Sequence, residues 1–294
     1  MSRATIRFIA AASRRLRSGP GSRSAPASRP GSGSSAPAGA RRRGRSWPRP
    51  RWHPAARKPG PGRRCALLVE RFGHDGATRV LIDTGPDFVP QMQDAGVGEL
   101  DAVAYTHAHA DHIHGIDDLR QIVFNMRRKM PVWADRPTAA ALMTRFGYIF
   151  ETPAGSSYPP ICELMPITGP FAVEGAGGTI ELAPFAVDHG DIAALGYRIG
   201  GMEQSLVYLP DVLAIPEDAW PLIAGCDVFI CDALRRIPHP SHAHLALALD
   251  WIARSGCAQG IITNMHIDLD YDDVMRETPE NVIPAHDGMR IELI

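Results

Sequence analysis

The sequence has few cysteines and no long hydrophobic run. Its five cysteines, at positions 65, 162, 226, 231 and 257, form no CxxC pair and leave an odd number. A disulfide framework is therefore not expected, and a reducing compartment, the cytoplasm, is the expected location. No apolar run approaches the roughly 18 residues of a membrane span, so no membrane partner is expected either.

Acidic residues are missing from the first 69 positions, which hold 16 Arg and one Lys. The chain has 31 basic and 32 acidic residues, which leaves 14 basic residues against 32 acidic ones for the rest. A strongly acidic body argues against nucleic acid as the default partner.

The N-terminal stretch 10–64 consists almost entirely of Arg, Ala, Gly, Pro and Ser. Such a composition buries too little apolar surface to offset the entropy lost on ordering, so residues 1–62 are expected to be disordered and residues 63–294 to form the domain. Three interpretations stay open: a transit-like peptide, a basic binding tail, or an artefact of the reading frame. The abrupt onset of ordered sequence at "RRCALLVERFG" favours the artefact.

The remainder mixes short apolar runs with amphipathic stretches. "TRVLIDTG", "DAVAYTH", "QSLVYLPD" and "CDVFICDA" are typical of strands, and "HAHLALALDWIARSG" has helical spacing. Strand pairs followed by mixed strands and helices predict one layered α/β domain of about 230 residues.

One loop carries an unusual density of titratable side chains. In "DAVAYTHAHADHIHGIDD", Asp101 to Asp118, a buried strand is followed at once by four histidines and an aspartate. Residues two apart on an extended loop point the same way, so His107 and His109 could hold one cation, while Asp111 and His112 follow a turn and could hold a second. Imidazole and carboxylate are donors that Zn, Mn and Fe accept. His114 has no place in this pattern.

The HxHxDH motif, together with "LIDTG" about 25 residues earlier, resembles the metallo-β-lactamase fold. The resemblance covers about residues 65–294 and implies a four-layer αββα sandwich with two divalent metal ions at one sheet edge. It leaves open whether the first strand of the fold is missing, since "GSGSSAPAGARRRGRSW" offers at most a remnant at Gly31 to Ser35.

The resemblance also implies a ligand set. One metal ion would be held by His107, His109 and His189, and the other by Asp111, His112 and His266, with Asp211 between them. His286 competes with His266 for the last position, because many relatives have Thr-His where this chain has Thr263-Asn264. Asp83 is expected to orient one of the ligands.

Two metal ions about 3.5–4 Å apart lower the pKa of a bridging water toward 7 and so supply hydroxide for hydrolysis. The C-terminal patterns "CDALRRIPHPSHAHLALALDWI" and "VIPAHDGMRIEL" resemble the phosphodiesterase branch related to phosphoribosyl 1,2-cyclic phosphate phosphodiesterase. The resemblance implies a small, cyclic phosphodiester substrate. His242 would protonate the leaving group, with His244 as the alternative, and Asp211 would be catalytic through the metals.

Other functions stay open at this point. A thioesterase or lactonase of the same fold and a non-catalytic protein similar to cofactor-biosynthesis carriers are the main alternatives. The choice between zinc and manganese is undecided, and a homodimer is one possible assembly.

Overall fold

The computed structural model describes residues 3–10, for which only the backbone is considered, and residues 62–201 and 204–293. The strands are β1 (Arg3–Ala10), β2 (Ala66–Phe72), β3 (Ala77–Ile82), β4 (Ala102–Ala104), β5 (Met130–Ala134), β6 (Cys162–Pro166), β7 (Phe171–Val173), β8 (Ile180–His189), β9 (Ile192–Ile199), β10 (Leu206–Leu209), β11 (Val228–Asp232), β12 (Gln259–Thr263), β13 (Val282–Pro284) and β14 (Arg290–Leu293). The helices are α1 (Phe88–Ala95), α2 (Ala110–Ile113), α3 (Leu119–Met126), α4 (Arg136–Phe146), α5 (Trp220–Ile223), α6 (Leu245–Ser255) and α7 (Tyr271–Glu277).

Within the described residues the strands form two sheets of seven. The first has the order β14-β1-β2-β3-β4-β5-β6, and the second β13-β12-β11-β10-β9-β8-β7. Strands β3 to β6 run parallel, as do β10 to β13, whereas β7 to β10 pair antiparallel. Strands β9 and β10 form an antiparallel pair in which Tyr208 is paired with Tyr197.

Three buried clusters show how the layers stack. Leu67 and Val80 of the first sheet pack with Tyr208 and Ile230 of the second, so one core lies between the sheets. Residues alternate sides along a strand, so the opposite sheet faces are left for helices. Helices α1, α3 and α4 cover the first sheet, and α5, α6 and α7 cover the second. The predicted four-layer αββα sandwich is confirmed.

The first strand corrects one expectation. Residues Arg3–Ala10, expected to be disordered, form β1, which pairs antiparallel with both β2 and β14. The first strand is therefore present, and it lies inside the sheet, not at an exposed edge. It comes from the extreme N-terminus, and the proposed remnant at Gly31 to Ser35 lies outside the described residues.

The topology collects polar residues at one end of the sandwich. Asp83 follows β3, Asp211 follows β10, Asp232 ends β11 and Asn264 follows β12. Carboxyl ends of neighbouring parallel strands meet at the same edge of a sheet, which is where α/β proteins bind ligands. In the described part of the chain, no helix is long and apolar enough to span a bilayer.

Candidate metal centre

Four side chains converge where the two sheets meet. One potential ligand atom from each of His107, His109, His189 and Asp211 lies within 4.8 Å of the others. His107 and His109 lie between β4 and α2, His189 is the last residue of β8, and Asp211 comes two residues after β10. All are buried except His109, which faces solvent. Four of the predicted ligands, which come from three separate segments of the chain, are thus brought together.

Hydrogen bonds fix which ring nitrogens carry lone pairs. His189 Nδ1 lies 2.6 Å from the carbonyl oxygen of Ser241, to which it must donate. His107 Nδ1 lies 3.0 Å from Thr106 Oγ1, and that hydroxyl itself donates to Asp83. A neutral imidazole has one N–H, so Nε2 of both rings presents a lone pair to the cluster.

The nitrogens and oxygens of this cluster lie close together, but too few N–H groups are present for each pair to form a hydrogen bond. His107 Nε2 and His189 Nε2 each lie 3.1 Å from His109 Nδ1, which could donate to one of them at most. Asp211 Oδ2 is 3.6 Å from His107 Nε2 and 3.4 Å from His189 Nε2. Three imidazoles and a carboxylate with converging lone pairs are the donor set of a divalent metal ion, so the residues fit the metal that the resemblance implies.

The charge states agree with this fit. Burial, followed by the nearby His112 charge, holds the pKa of His107 well below its usual value. Burial also lowers the pKa of His189, so both rings are neutral at pH 7 and able to bind a metal ion. Burial alone would raise the pKa of Asp211, but His112 and the hydrogen bond from it hold that pKa far below the usual range.

His112 lies on the other side of Asp211. Its Nδ1 donates to Asp83 Oδ2 at 2.8 Å, and its Nε2 is 3.4 Å from Asp211 Oδ1. Asp83 also accepts from the backbone N–H and hydroxyl of Thr106, and its own φ of 67° turns the chain sharply after β3. Asp83 therefore orients the ring of His112, whose role as a ligand stays a prediction.

His242 has a carboxylate partner of its own. Its Nδ1 donates to Asp232 Oδ2 at 2.8 Å, and its Nε2 faces Asp211 Oδ2 at 3.9 Å. Burial opposes protonation of His242, but the hydrogen bond and charge of Asp232 raise its pKa overall. His244, the alternative, accepts a hydrogen bond from Leu247 N and caps α6. Of the two candidates, His242 is therefore the one whose ring faces Asp211.

Two predicted ligands, His266 and His286, do not contact Asp211, and a third, Asp111, contacts an arginine. The side chain of His266 is 57 % exposed and its Nδ1 lies 3.7 Å from Asp268. His286 Nδ1 contacts the carbonyl of Asp287. In the described residues neither forms an ion pair with Asp211, so a last histidine ligand stays a prediction that these contacts do not support. Asp111 lies beside Arg64, whose Nη1 is 3.4 Å from its Oδ2.

Asn264 occupies the place expected of that histidine. Strand β12 ends beside β11, which brings Asn264 to the centre, and its Nδ2 donates to Asp211 Oδ1 at 3.0 Å. His266 is two residues further on, beyond the left-handed turn at Asn264, and its side chain is exposed.

A cavity of about 600 Å³ opens beside His109. Its walls include Arg145 and Phe146 at the end of α4 together with His114, whose ring meets Phe146 edge-on at 5.7 Å between centroids. Arg145 Nη1 donates to the carbonyl of Ala108 at 2.7 Å, so its charge is held close to the metal-binding loop. An organic group bound in this cavity would contact the ring of Phe146 and the guanidinium of Arg145.

Sequence reasoning missed Asp232, Asn264 and Arg64. Asp232 follows the apolar run "VFIC", the same strand-then-aspartate signal that identified Asp211. Asn264 was noted as a departure from relatives but was passed over for the next histidine. Nothing in the sequence signalled that Arg64 would contact Asp111.

Comparison with known proteins shows which family the chain belongs to. The family described as "Beta-lactamase superfamily domain" matches residues 78–267, well over half of the chain. The chain belongs to this superfamily. The resemblance predicted from the sequence is confirmed.

Two curated relatives show how far the similarity extends. An octanoyltransferase of Porphyromonas gingivalis is 32% identical over 231 residues, which are 77% of this chain and 44% of that protein. A ribonuclease Z of Mycobacterium sp. (strain KMS) is 29% identical over 198 residues, which are 62% of this chain and 65% of that protein. The chain thus spans less than half of the first relative and just under two thirds of the second.

Two solved structures match over nearly their whole length. A diphosphatase from the PhnP family has a TM-score of 0.73 and 27% identity, with 100% of this chain and 98% of that chain covered. The metallo-beta-lactamase fold protein YhfI from Bacillus subtilis has a TM-score of 0.67 at 14% identity, with both chains covered completely, and shows the fold alone.

Proposed function

We propose that this protein is a metal-dependent phosphodiesterase that hydrolyses a small phosphodiester, including cyclic ones, with two divalent metal ions, Zn or Mn. The observation that carries the proposal is the convergence of His107, His109 and His189 on Asp211 beside the His242–Asp232 pair. His107, His109, His189 and Asp211 would hold one ion, and Asp111, His112 and Asp211 the other. Bound there, the ions would supply Lewis acidity and a water of lowered pKa.

His242 would deliver the proton that the leaving alkoxide needs. Its Nδ1–H is occupied by Asp232, so the free position that can carry and release a proton is Nε2. This nitrogen faces Asp211 and therefore the metal centre. A donor so placed contributes about 10²- to 10⁴-fold to a hydrolytic rate when the leaving group is poor.

The cavity beside His109 would bind the organic part of the substrate. Arg145 offers a planar cation for a phosphate oxygen or another anionic group, and Phe146 offers a face for a ring. The acidic body of the chain disfavours a long polyanion such as RNA, so a small diester suits this cavity better.

Two relatives support cleavage at phosphorus by their names alone, a PhnP-family diphosphatase and a ribonuclease Z. A thioesterase or lactonase remains the rival from the sequence, and one relative is named for octanoyl transfer. A substrate panel separates these possibilities.

The test uses the full chain, freed of metal with a chelator and reloaded with Zn²⁺ or Mn²⁺. Its substrates are bis(p-nitrophenyl) phosphate, a cyclic nucleotide diester, p-nitrophenyl phosphate, a lactone and an octanoyl thioester. We expect the diesters to be cleaved fastest and cleavage to stop in Asp211→Ala, with Asp250→Ala, an exposed aspartate on α6, as the matched control. Preferential cleavage of the thioester or lactone, or full turnover in Asp211→Ala, would overturn the proposal.

A further inference from the structure

The two carboxylate oxygens of Asp211 face different surroundings. On the Oδ2 side lie His107 and His189, at 3.6 and 3.4 Å, with His109 in contact with both rings. On the Oδ1 side lie His112 at 3.4 Å and the amide of Asn264 at 3.0 Å. The Oδ2 side thus offers three imidazoles, in addition to His242 at 3.9 Å, and the Oδ1 side a single one.

The other predicted metal ligand on the Oδ1 side, Asp111, already contacts an arginine. Asp111 is 37 % exposed, and its Oδ2 lies 3.4 Å from the guanidinium of Arg64. The backbone of Arg64 is held beside this side of the centre, because its N–H donates to Asp87 and its carbonyl accepts from Gln91. A metal ion on this side would compete with a cation for Asp111 and with the Asn264 amide for Asp211.

We propose that the two metal positions are unequal, and that Asn264 makes the second one weak, exchangeable and selective for oxygen-preferring ions such as Mn²⁺. This inference rests on the proposed function and assigns Asn264 to the same site. Three imidazoles suit Zn²⁺, whereas carboxylates with one imidazole and an amide suit Mn²⁺ or Mg²⁺. The hydrogen bond from Asn264 also draws electron density from Asp211 Oδ1, which further weakens that oxygen as a ligand.

The backbone at position 264 makes the inference testable by substitution. Asn264 has a φ of 58°, in the left-handed region that Asn, Asp and His occupy more readily than most residues. Histidine and aspartate should therefore fit without new strain. Each would replace an amide that donates to Asp211 with a side chain that can bind the ion.

The experiment measures metal binding directly. Chelator-treated full chain is titrated with Mn²⁺ by calorimetry, then desalted and analysed for bound metal. We expect the wild type to keep one ion per chain and to bind a second at least about 10-fold more weakly. Asn264→His and Asn264→Asp should tighten the second ion about 10- to 100-fold, the range for changes around metal ligands, and leave the first unchanged.

His266→Ala is the matched control, since His266 is the histidine that the sequence placed in this role. We expect no change in either affinity, and thermal melts of each variant confirm that it is folded. Two equally tight ions in the wild type, no tightening in either Asn264 variant, or loss of the second ion in His266→Ala would overturn the inference.

The same data separate this inference from the proposed function. Two equal ions in a chain that cleaves diesters would refute the inequality alone. A wild-type chain that binds no ion and cleaves no diester would refute both.

Discussion

The pairing of Asp232 with His242 gives the sharpest prediction about catalysis. Asp232 is fully buried at the end of β11, and its Oδ2 accepts from His242 Nδ1 at 2.8 Å and from the Val212 N–H at 3.1 Å. Its Oδ1 is buried with no hydrogen-bond partner among the described residues. Burial raises its pKa to about 7. A buried carboxylate with an unpaired oxygen lowers the stability of the fold. Asp232 therefore fits a role in positioning His242 better than a role in stabilising the fold.

The magnitude follows from that hydrogen bond. A buried hydrogen bond to a charged group contributes about 1.5–3 kcal/mol, so Asp232→Asn should lower the turnover number about 10- to 150-fold, at 1.4 kcal/mol per tenfold. His242→Gln removes the proton donor itself and should lower turnover about 10²- to 10⁴-fold. The double variant should be no slower than His242→Gln, because Asp232 acts through His242.

The assay must use a diester with a poor leaving group, such as an alkyl alkoxide from a cyclic nucleotide. A nitrophenolate leaves with little help from an acid, so bis(p-nitrophenyl) phosphate should show a much smaller loss in both variants. His74→Gln, at a fully exposed histidine, is the matched control. Equal losses on both substrates, or a larger loss in Asp232→Asn than in His242→Gln, would refute this reasoning.

Three further predictions concern the cavity, the thiols and the first strand. In steady-state kinetics, Arg145→Ala should raise KM for a cyclic nucleotide about 10-fold and leave kcat nearly unchanged. An unchanged KM would exclude Arg145 from substrate binding. All five cysteines are buried, and burial raises the pKa of Cys65, for example, to about 12; Ellman's reagent should therefore label the folded chain on the order of 100-fold more slowly than the unfolded chain, and rapid labelling would contradict the buried core. Ile6→Pro should lower Tm by about 5 °C or more, because Ile6 pairs with both Ile291 and Val69; an unchanged melt in calorimetry would mean that β1 is not part of the sheet.

The layered fold and the metal-binding loop could be predicted because their signals are local. An apolar run before HxHxDH marks a strand that ends in a cluster of donors. Helix α6 could be predicted from its own helical periodicity, and Gly256 at φ 68° ends it. His189 ends β8 and Asp211 lies two residues after β10, so the resemblance was sufficient to predict their places.

The rest depended on pairing between distant segments. The N-terminal strand β1 pairs with residues 66–72 and 290–293, and its Arg-rich sequence gives no sign of those partners. Asn264 was missed for a similar reason: the parallel pairing of β12 with β11 decides which residue after the strand reaches Asp211. Asp232 had a visible signal, but its partner His242 lies ten residues away across a loop.

The central claim is that His107, His109, His189 and Asp211 bind a divalent metal ion. The most direct measurement is a crystal structure of the Zn²⁺-loaded full chain, with anomalous data collected on both sides of the zinc edge. The account predicts a strong anomalous peak about 2.0–2.2 Å from the histidine nitrogens and an Asp211 oxygen. The absence of a peak among these four side chains in a fully loaded crystal, or zinc bound by other residues instead, would contradict it.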